Sequence, residues 1–445
     1  MSGAVPYEPA GGNWFGQPRG LTILFLTNMW EQFSYFGMRA LLVYYMTKTL
    51  LLDQGTSSFI YGAYTAFAYF TPIIGGTISD RWLGKRRAVI IGASIMAAGH
   101  FMMAFEPLFY LALATIALGN GLFLPTLPSQ INDLYKRGDP RRPWAYNVYY
   151  VGINIGGFLA PLVCGTLGEV YGWHWGFTAA GVGMLAGLVI YVAGAKYLPP
   201  QAPPSRLTAN AAASTRAAPG TFGLLLAIGL AVTVFRGAYE QVGNTVALWA
   251  DSGIDRRLGD WSIPMTWFQS LNPLLVILVT PALLSYWHRR ADAGREPSPM
   301  RKMALGAAIV GTAYLLLAAV SAGAGDGSAG WAWLALFFAI FTVGELHILP
   351  NGLGLFARLA PPRFGATTVA AWYLAIFSGS LTAGAVGSLW SRTSHPIFFV
   401  LLAAIACVSA GLLLLLDGRA KRVIGGLTEP VEAVSAEETA PPAAV

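Results

Sequence analysis

Charge is scarce in this sequence. Only 11% of its 445 residues are Asp, Glu, Lys or Arg, whereas soluble domains carry nearer a quarter. With 55% hydrophobic residues and a mean hydropathy of +0.55, the chain has too little polar surface to fold in water as an ordinary globule. Cysteine is scarcer still. Cys164 and Cys407 both stand in apolar stretches, which excludes a disulfide scaffold or a cysteine metal cluster and points to core positions. Residues 1–20 lack an apolar run, so no cleaved signal peptide is expected, and the first apolar segment is the one that targets the membrane. Also missing are a Gly-rich phosphate loop, a nucleophile triad and a metal-ligand cluster. That argues against an ATP-driven pump, an enzyme, and any cofactor or metal.

What the chain has instead is twelve stretches of the length a spanning helix needs, about 20 residues. They cover about 21–48, 58–79, 88–106, 108–131, 144–168, 174–196, 221–250, 262–287, 302–323, 331–358, 364–390 and 396–416. The expected fold is all-α, with twelve transmembrane helices in two six-helix halves, 21–196 and 221–416. Residues 1–20 form an N-terminal cytoplasmic segment, the Pro/Ala/Ser/Thr-rich 197–220 a cytoplasmic linker, and 417–445 an acidic tail too poor in apolar surface to fold.

The formal charge of +7 would suit nucleic acid in a soluble protein, but the bases are placed for a membrane. Of the 28 Lys and Arg, all but six lie at the termini or in the loops after the even-numbered stretches. The exceptions are Lys48, Arg256, Arg257 and Arg392 in the other loops, and Arg39 and Arg236 inside helices. Basic loops stay cytoplasmic, so both termini are expected there. The two halves also echo each other. Thr71-Pro72 precedes Arg81 as Thr280-Pro281 precedes Arg290, and Gly119 precedes Leu124-Pro125 as Gly344 precedes Leu349-Pro350. Paired repeats around a central site suit alternating access by rocking.

Five ionisable residues fall well inside the stretches: Glu31, Arg39, Arg236, Glu240 and Glu345. A charge at the bilayer centre costs at least about 2.5 kcal/mol, so such groups face a bundle interior, paired or wetted. Structural ion pairing is one reading. An aqueous cavity is the other, and recurring Tyr35, Tyr69, Asn154, Asn272 and Trp372 favour it.

Gly76-Thr-Ile-Ser-Asp80-Arg81-Trp-Leu-Gly84-Lys85-Arg86-Arg87 resembles the loop between the second and third helices of the major facilitator superfamily, although a basic stop-transfer cluster would look similar. Further motifs are more specific. Trp30-Glu-Gln-Phe-Ser-Tyr35-Phe36-Gly37-Met38-Arg39-Ala, Tyr149-Tyr-Val-Gly-Ile153-Asn154-Ile-Gly156, Tyr239-Glu240-Gln241, Phe268-Gln-Ser-Leu-Asn272-Pro273 and Glu345-Leu follow one another in order. Together they resemble the proton-dependent oligopeptide transporter family along nearly all of the helical region. The resemblance implies a secondary transporter of di-/tripeptides or peptide-like compounds in the cell (inner) membrane. It would work as a proton symporter, with peptide, protons and lipid as its partners, no nucleic acid, and a monomer as the working unit. Arg39 would bind the peptide carboxylate and pair with Glu240 in a gate, and Glu345 would receive the amine. Asn154 and Asn272 would bond the peptide termini or backbone, and Tyr35, Phe36, Tyr69 and Trp372 would line side-chain pockets.

Departures from the family pattern leave a rival open. Where the family has two acids and a base in its first helix, this chain has Asn28, Glu31 and Gln32. The family's Lys, its following Asn, and a later Ser are here Leu124, Thr126 and Leu349. Arg236 stands where an aromatic residue is usual. It is either part of a rearranged charge network or simply an intrahelical partner of Glu240 four residues on. Glu31, without a neighbouring base, is the expected proton site and Glu345 the second; an uncoupled facilitator or a non-transporting sensor remains the alternative.

Overall fold

Backbone amides left without water must bond within their own segment, and a chain this apolar answers with helices. The computed structural model describes residues 13–14, 16–135, 139, 141–200, 220–325, 327–359 and 365–428. In the first part run α1 (Arg19–Lys48), α2 (Gln54–Ile78), α3 (Lys85–Met102), α4 (Phe109–Phe123), the short α5 (Thr126–Ser129), α6 (Arg142–Ala160) and α7 (Trp173–Ala193). In the second run α8 (Thr221–Tyr239), α9 (Thr245–Ser252), α10 (Phe268–Asp292), α11 (Pro299–Ala324), α12 (Trp331–Leu359), α13 (Gly365–Gly387) and α14 (His395–Thr428). Among the described residues, strands are confined to two-residue pairings in loops.

Among the described residues, nine helical stretches, from Glu106–Leu134 to His395–Val423, are long and apolar enough to cross a membrane. The helices α1, α2 and α3 fall outside that set. For α1 the cause is composition, because Thr27, Asn28, Glu31 and Gln32 interrupt its apolar run, and the helix buries them against the rest of the protein. Leu226, Leu284 and Leu415 stand exposed on outer helix faces, the pattern expected of a surface solvated by lipid.

Apolar clusters hold each group of helices together, and a small one of Val43, Tyr44, Ala247 and Met265 joins the groups. On one side the cluster is built only from residues between Leu224 and Val423, and includes Phe235, Tyr314, Phe337 and Phe341. The other side is held by clusters drawn from Leu21 to Leu198. In the first group of helices, α1 packs on α6 and α7, and α3 on α4. In the second, α11 packs on α12 and α14, and α8 on α13 and α14. The groups meet where α2 lies along α13 and α6 along α10.

The echoed glycines explain why the halves resemble each other. A Cβ on Gly119 would sit 2.7 Å from the carbonyl oxygen of Gly92, and one on Gly92 would sit 2.7 Å from that of Gly119. Gly344 and Gly306 stand in the same reciprocal relation, at 2.7 and 2.5 Å. Each pair lets two backbones touch, α3 to α4 and α11 to α12, as small residues do at membrane helix crossings.

Several boundaries differ from those expected. The second stretch starts at residue 54, because Asp53 caps it by accepting a hydrogen bond from the Thr56 amide at 2.9 Å. The last helix continues to Thr428, so 417–428, expected to be unfolded, is helical. Asp417 holds that end through Arg301 at 3.0 Å and Lys421 at 2.8 Å. The remainder of the tail and residues 201–219 of the linker lie outside the described residues. Cys164 is buried, but Cys407 is exposed on α14, contrary to a core position. In the basic loop Asp80 is exposed. Lys85 reaches Asp133 at 2.6 Å and Arg86 the Ala195 carbonyl at 3.1 Å, clamping the ends of neighbouring helices.

Gly344→Val is expected to lower stability by about 1–3 kcal/mol through overpacking, read as a lower melting temperature of the purified protein. Gly323→Ala, where a Cβ meets open space, is the control and should melt like the parent; equal melting of both variants would contradict the crossing.

Candidate functional site

The two helix groups enclose a cavity lined by Phe36, Arg39, Tyr69, Asn154, Arg236, Tyr239, Glu240, Asn272 and Glu345, among others. None of the lining residues comes from α4. Its chemistry is divided between two poles.

The first pole is built on Glu240, 1% exposed, at the end of α8. Its two carboxylate oxygens accept one guanidinium each, Oε2 from Arg39 on α1 and Oε1 from Arg236 one turn earlier on α8. Arg39 is further held by its Nε, which donates to the Tyr61 hydroxyl at 2.6 Å. Arg236 lies over the Tyr239 ring at 4.7 Å and the Tyr69 ring at 5.5 Å, cation–π contacts that steady a desolvated guanidinium. Two glycines clear the space. A Cβ on Gly379 would run into the Cβ of Arg236, and one on Gly243 would run into the Tyr61 hydroxyl. Two bases on one acid leave this pole with a surplus positive charge.

The second pole is Glu345 on α12. Its carboxylate accepts from the Tyr239 hydroxyl at 2.6 Å and from Asn272 Nδ2 at 2.5 Å, and Asn272 also donates to Thr342 at 3.0 Å. Those donors are neutral, so this pole keeps its negative charge when ionised. Tyr239 touches both poles. It stands three residues after Arg236 on one helical face, with its ring under that guanidinium, while its hydroxyl reaches across to Glu345 on α12.

The remaining expected residues divide. Phe36, Tyr69, Asn154 and Asn272 line the cavity, and Asn154 also donates back to the Tyr150 carbonyl at 2.9 Å. Tyr35 does not reach it. Its ring stacks on Tyr64 at 6.4 Å behind Phe36, and its hydroxyl is buried. Trp372, 4% exposed, packs on Phe356 at 5.1 Å within the core of the second helix group. Glu31 is 1% exposed and away from the cavity, accepting a 2.6 Å hydrogen bond from Gln32. His347 turns toward Trp287, as its two-residue offset from Glu345 implies, and His100 is buried in the first helix group. Sequence reading passed over Tyr61, Tyr150, Gln269, Phe341 and Thr342. Tyr239 stood in a quoted motif without a role, and its adjacency to Glu240 was the signal to use.

A buried carboxylate that loses a donor costs about 1–3 kcal/mol, or more for a charged group. Tyr239→Phe and Asn272→Val should each lower the melting temperature, and adding Glu345→Gln should recover most of the loss. Failure of Glu345→Gln to recover either would contradict the described hydrogen bonds.

Similarity to known proteins follows the same lines. The POT family model matches residues 86–219 and 221–401. The uncharacterized transporter YclF of Bacillus subtilis is 32% identical, over 93% of this chain and 96% of that protein. A di-/tripeptide transporter of Lactococcus lactis subsp. cremoris is 29% identical, over 92% and 97%. Among solved structures, the peptide transporter POT in complex with sulfate superposes with a TM-score of 0.86 at 30% identity, covering 93% of this chain and 97% of that one. With the family model covering most of the chain and its relatives matched almost end to end, the chain belongs to the POT family.

Proposed function

We propose that this protein is a secondary transporter of di-/tripeptides or peptide-like compounds, working by alternating access in the cell membrane. The observation that carries this reading is the pair of opposite poles in one cavity, with Arg39 contributed by the first helix group and Glu345 by the second. A zwitterionic peptide needs an anion receptor and a cation receptor in a low-dielectric site. Arg39 receives its carboxylate and Glu345 its amine. Asn154 and Asn272 bond its backbone, and Phe36 and Tyr69 wall its side chains. Tyr35 backs Phe36, with ring centroids 5.4 Å apart. The di-/tripeptide transporter among the relatives supports the substrate class.

All twelve stretches span the bilayer, including the more polar α1, α2 and α3, and the basic loops with both termini are cytoplasmic. The polar contacts between the helix groups then fall on the outer side. Lys48 pairs with Asp251 at 2.7 Å, Gln54 donates to the Gly387 carbonyl at 2.9 Å, and Tyr44 donates to the Ala247 carbonyl at 2.7 Å. This is the arrangement of a transporter shut toward the outside. Glu31 is the proton site, with Glu345 the second. The alternative, an uncoupled facilitator or a sensor, is favoured by one observation: Glu31 lies off the cavity, hydrogen-bonded to Gln32.

Reconstituted protein should accumulate labelled dipeptide against its gradient when a proton gradient is imposed. Arg39→Ala and Glu345→Ala should each weaken substrate affinity by roughly tenfold or more, since a charge-assisted hydrogen bond is worth about 1.5–3 kcal/mol. Unchanged affinity in both overturns the site. Glu31→Gln should abolish uphill uptake while sparing counterflow exchange, and a wild type indifferent to the proton gradient makes the protein a facilitator or sensor.

A further inference from the structure

The two guanidiniums on Glu240 are not equivalent. Arg236 and Glu240 belong to one continuous helical segment, four residues apart, so their pair travels with that segment whatever the halves do. Arg39 sits on α1 in the other group, so its pair with Glu240 is broken by any motion that separates the groups on that side. Exposure differs in the same sense: the Arg39 side chain is 12% exposed in the cavity and that of Arg236 only 3%. Arg236 is also fixed by the Tyr239 and Tyr69 rings and by the space Gly379 leaves for its stem.

We propose that Arg236 is a built-in counter-ion for Glu240, releasing Arg39 to take the substrate carboxylate, and to let the gate open, without a proton being placed on Glu240. This rests on the transport reading above for what Arg39 is released to do. The physical reason is the cost of an unpaired buried ion. Removing one partner of a buried pair costs about 3–5 kcal/mol because the other charge is left uncompensated. A Glu240 whose sole base was Arg39 would meet that cost in every cycle, and a proton would be the simplest way to avoid it. With Arg236 attached, Arg39 leaves an acid that is still neutralised. The other groups facing Glu240 do not supply that charge. They are Tyr35 on α1, Tyr61 on α2, Tyr239 beside it, Tyr314 on α11 and Glu345 on α12, with Tyr69 on α2 lying against Arg236. None is a base.

The test compares wild type, Arg236→Met, and Arg236→Met with Glu240→Gln. Dialanine binding to the purified protein and dialanine counterflow in proteoliposomes are each read at about pH 7.5 and about pH 5.5. Relative to wild type, Arg236→Met should bind on the order of tenfold more weakly or worse at the higher pH. That defect should shrink at the lower pH, where a proton replaces the missing base. The double variant should bind more tightly than Arg236→Met at the higher pH and lose the pH dependence of the defect, since a neutral amide in place of the Glu240 carboxylate needs no counter-ion. A merely structural role would give a defect of equal size at both pH values that Glu240→Gln does not relieve, and that result overturns the proposal. If the binding pattern holds but wild type shows no counterflow, the counter-ion stands and the transport reading fails. If wild type neither binds nor moves dialanine, both fail.

Discussion

A carboxylate buried in a membrane protein needs hydrogen bonds, a counter-ion or a proton, and the way Glu240 is answered by two guanidiniums organises the rest of this site. Desolvating an ion costs several kcal/mol even after relaxation. Two guanidiniums repay that here, and each brings its own requirements. Arg236 needs the absence of a side chain at Gly379 and two tyrosine faces to lie on. Arg39 needs the Tyr61 hydroxyl, which in turn needs Gly243 to lack a Cβ. The surplus positive charge then has its counterpart in Glu345, whose donors are all neutral. A cavity that is polarised without being charged overall is the consequence.

Around that centre the scaffold is a matter of close backbone contact. Lipid gives apolar side chains no reason to prefer one another, so helices associate where small residues let backbones approach. The reciprocal pairs Gly92–Gly119 and Gly306–Gly344 do this within each helix group, and Gly62 with Gly384 does it between the groups, where a Cβ on Gly62 would lie 2.6 Å from the Gly384 Cα.

Much of this was legible in the sequence because membrane helices announce themselves by length and composition, and because an ionisable residue inside one rarely lacks a purpose. Arg39, Arg236, Glu240 and Glu345 were singled out on those grounds and do meet at one cavity, whereas Glu31, singled out with them, does not line it. What escaped was set by local geometry. Tyr239 reaches Glu345 by a contact between α8 and α12, and no periodicity within one helix foretells a partner on another. Tyr35 and Trp372 are aromatic, as pocket walls are, but core packing takes the same residues, and here it took both. Asp417 looked like the start of an acidic tail, yet Arg301 and Lys421 engage it and the helix runs on. Cys407 followed the general burial of free cysteine, which does not hold for a helix face turned to lipid.

The central claim is that the two poles read the two ends of one zwitterion, and it is met most directly by changing the ligand instead of the protein. The affinity of the purified protein for dialanine should be compared with its affinity for N-acetyl-dialanine and for dialanine amide. Each analogue lacks one charge, so each should bind at least roughly tenfold more weakly, the value of one lost charge-assisted hydrogen bond. Binding of either capped analogue as tightly as the parent dipeptide would contradict the account.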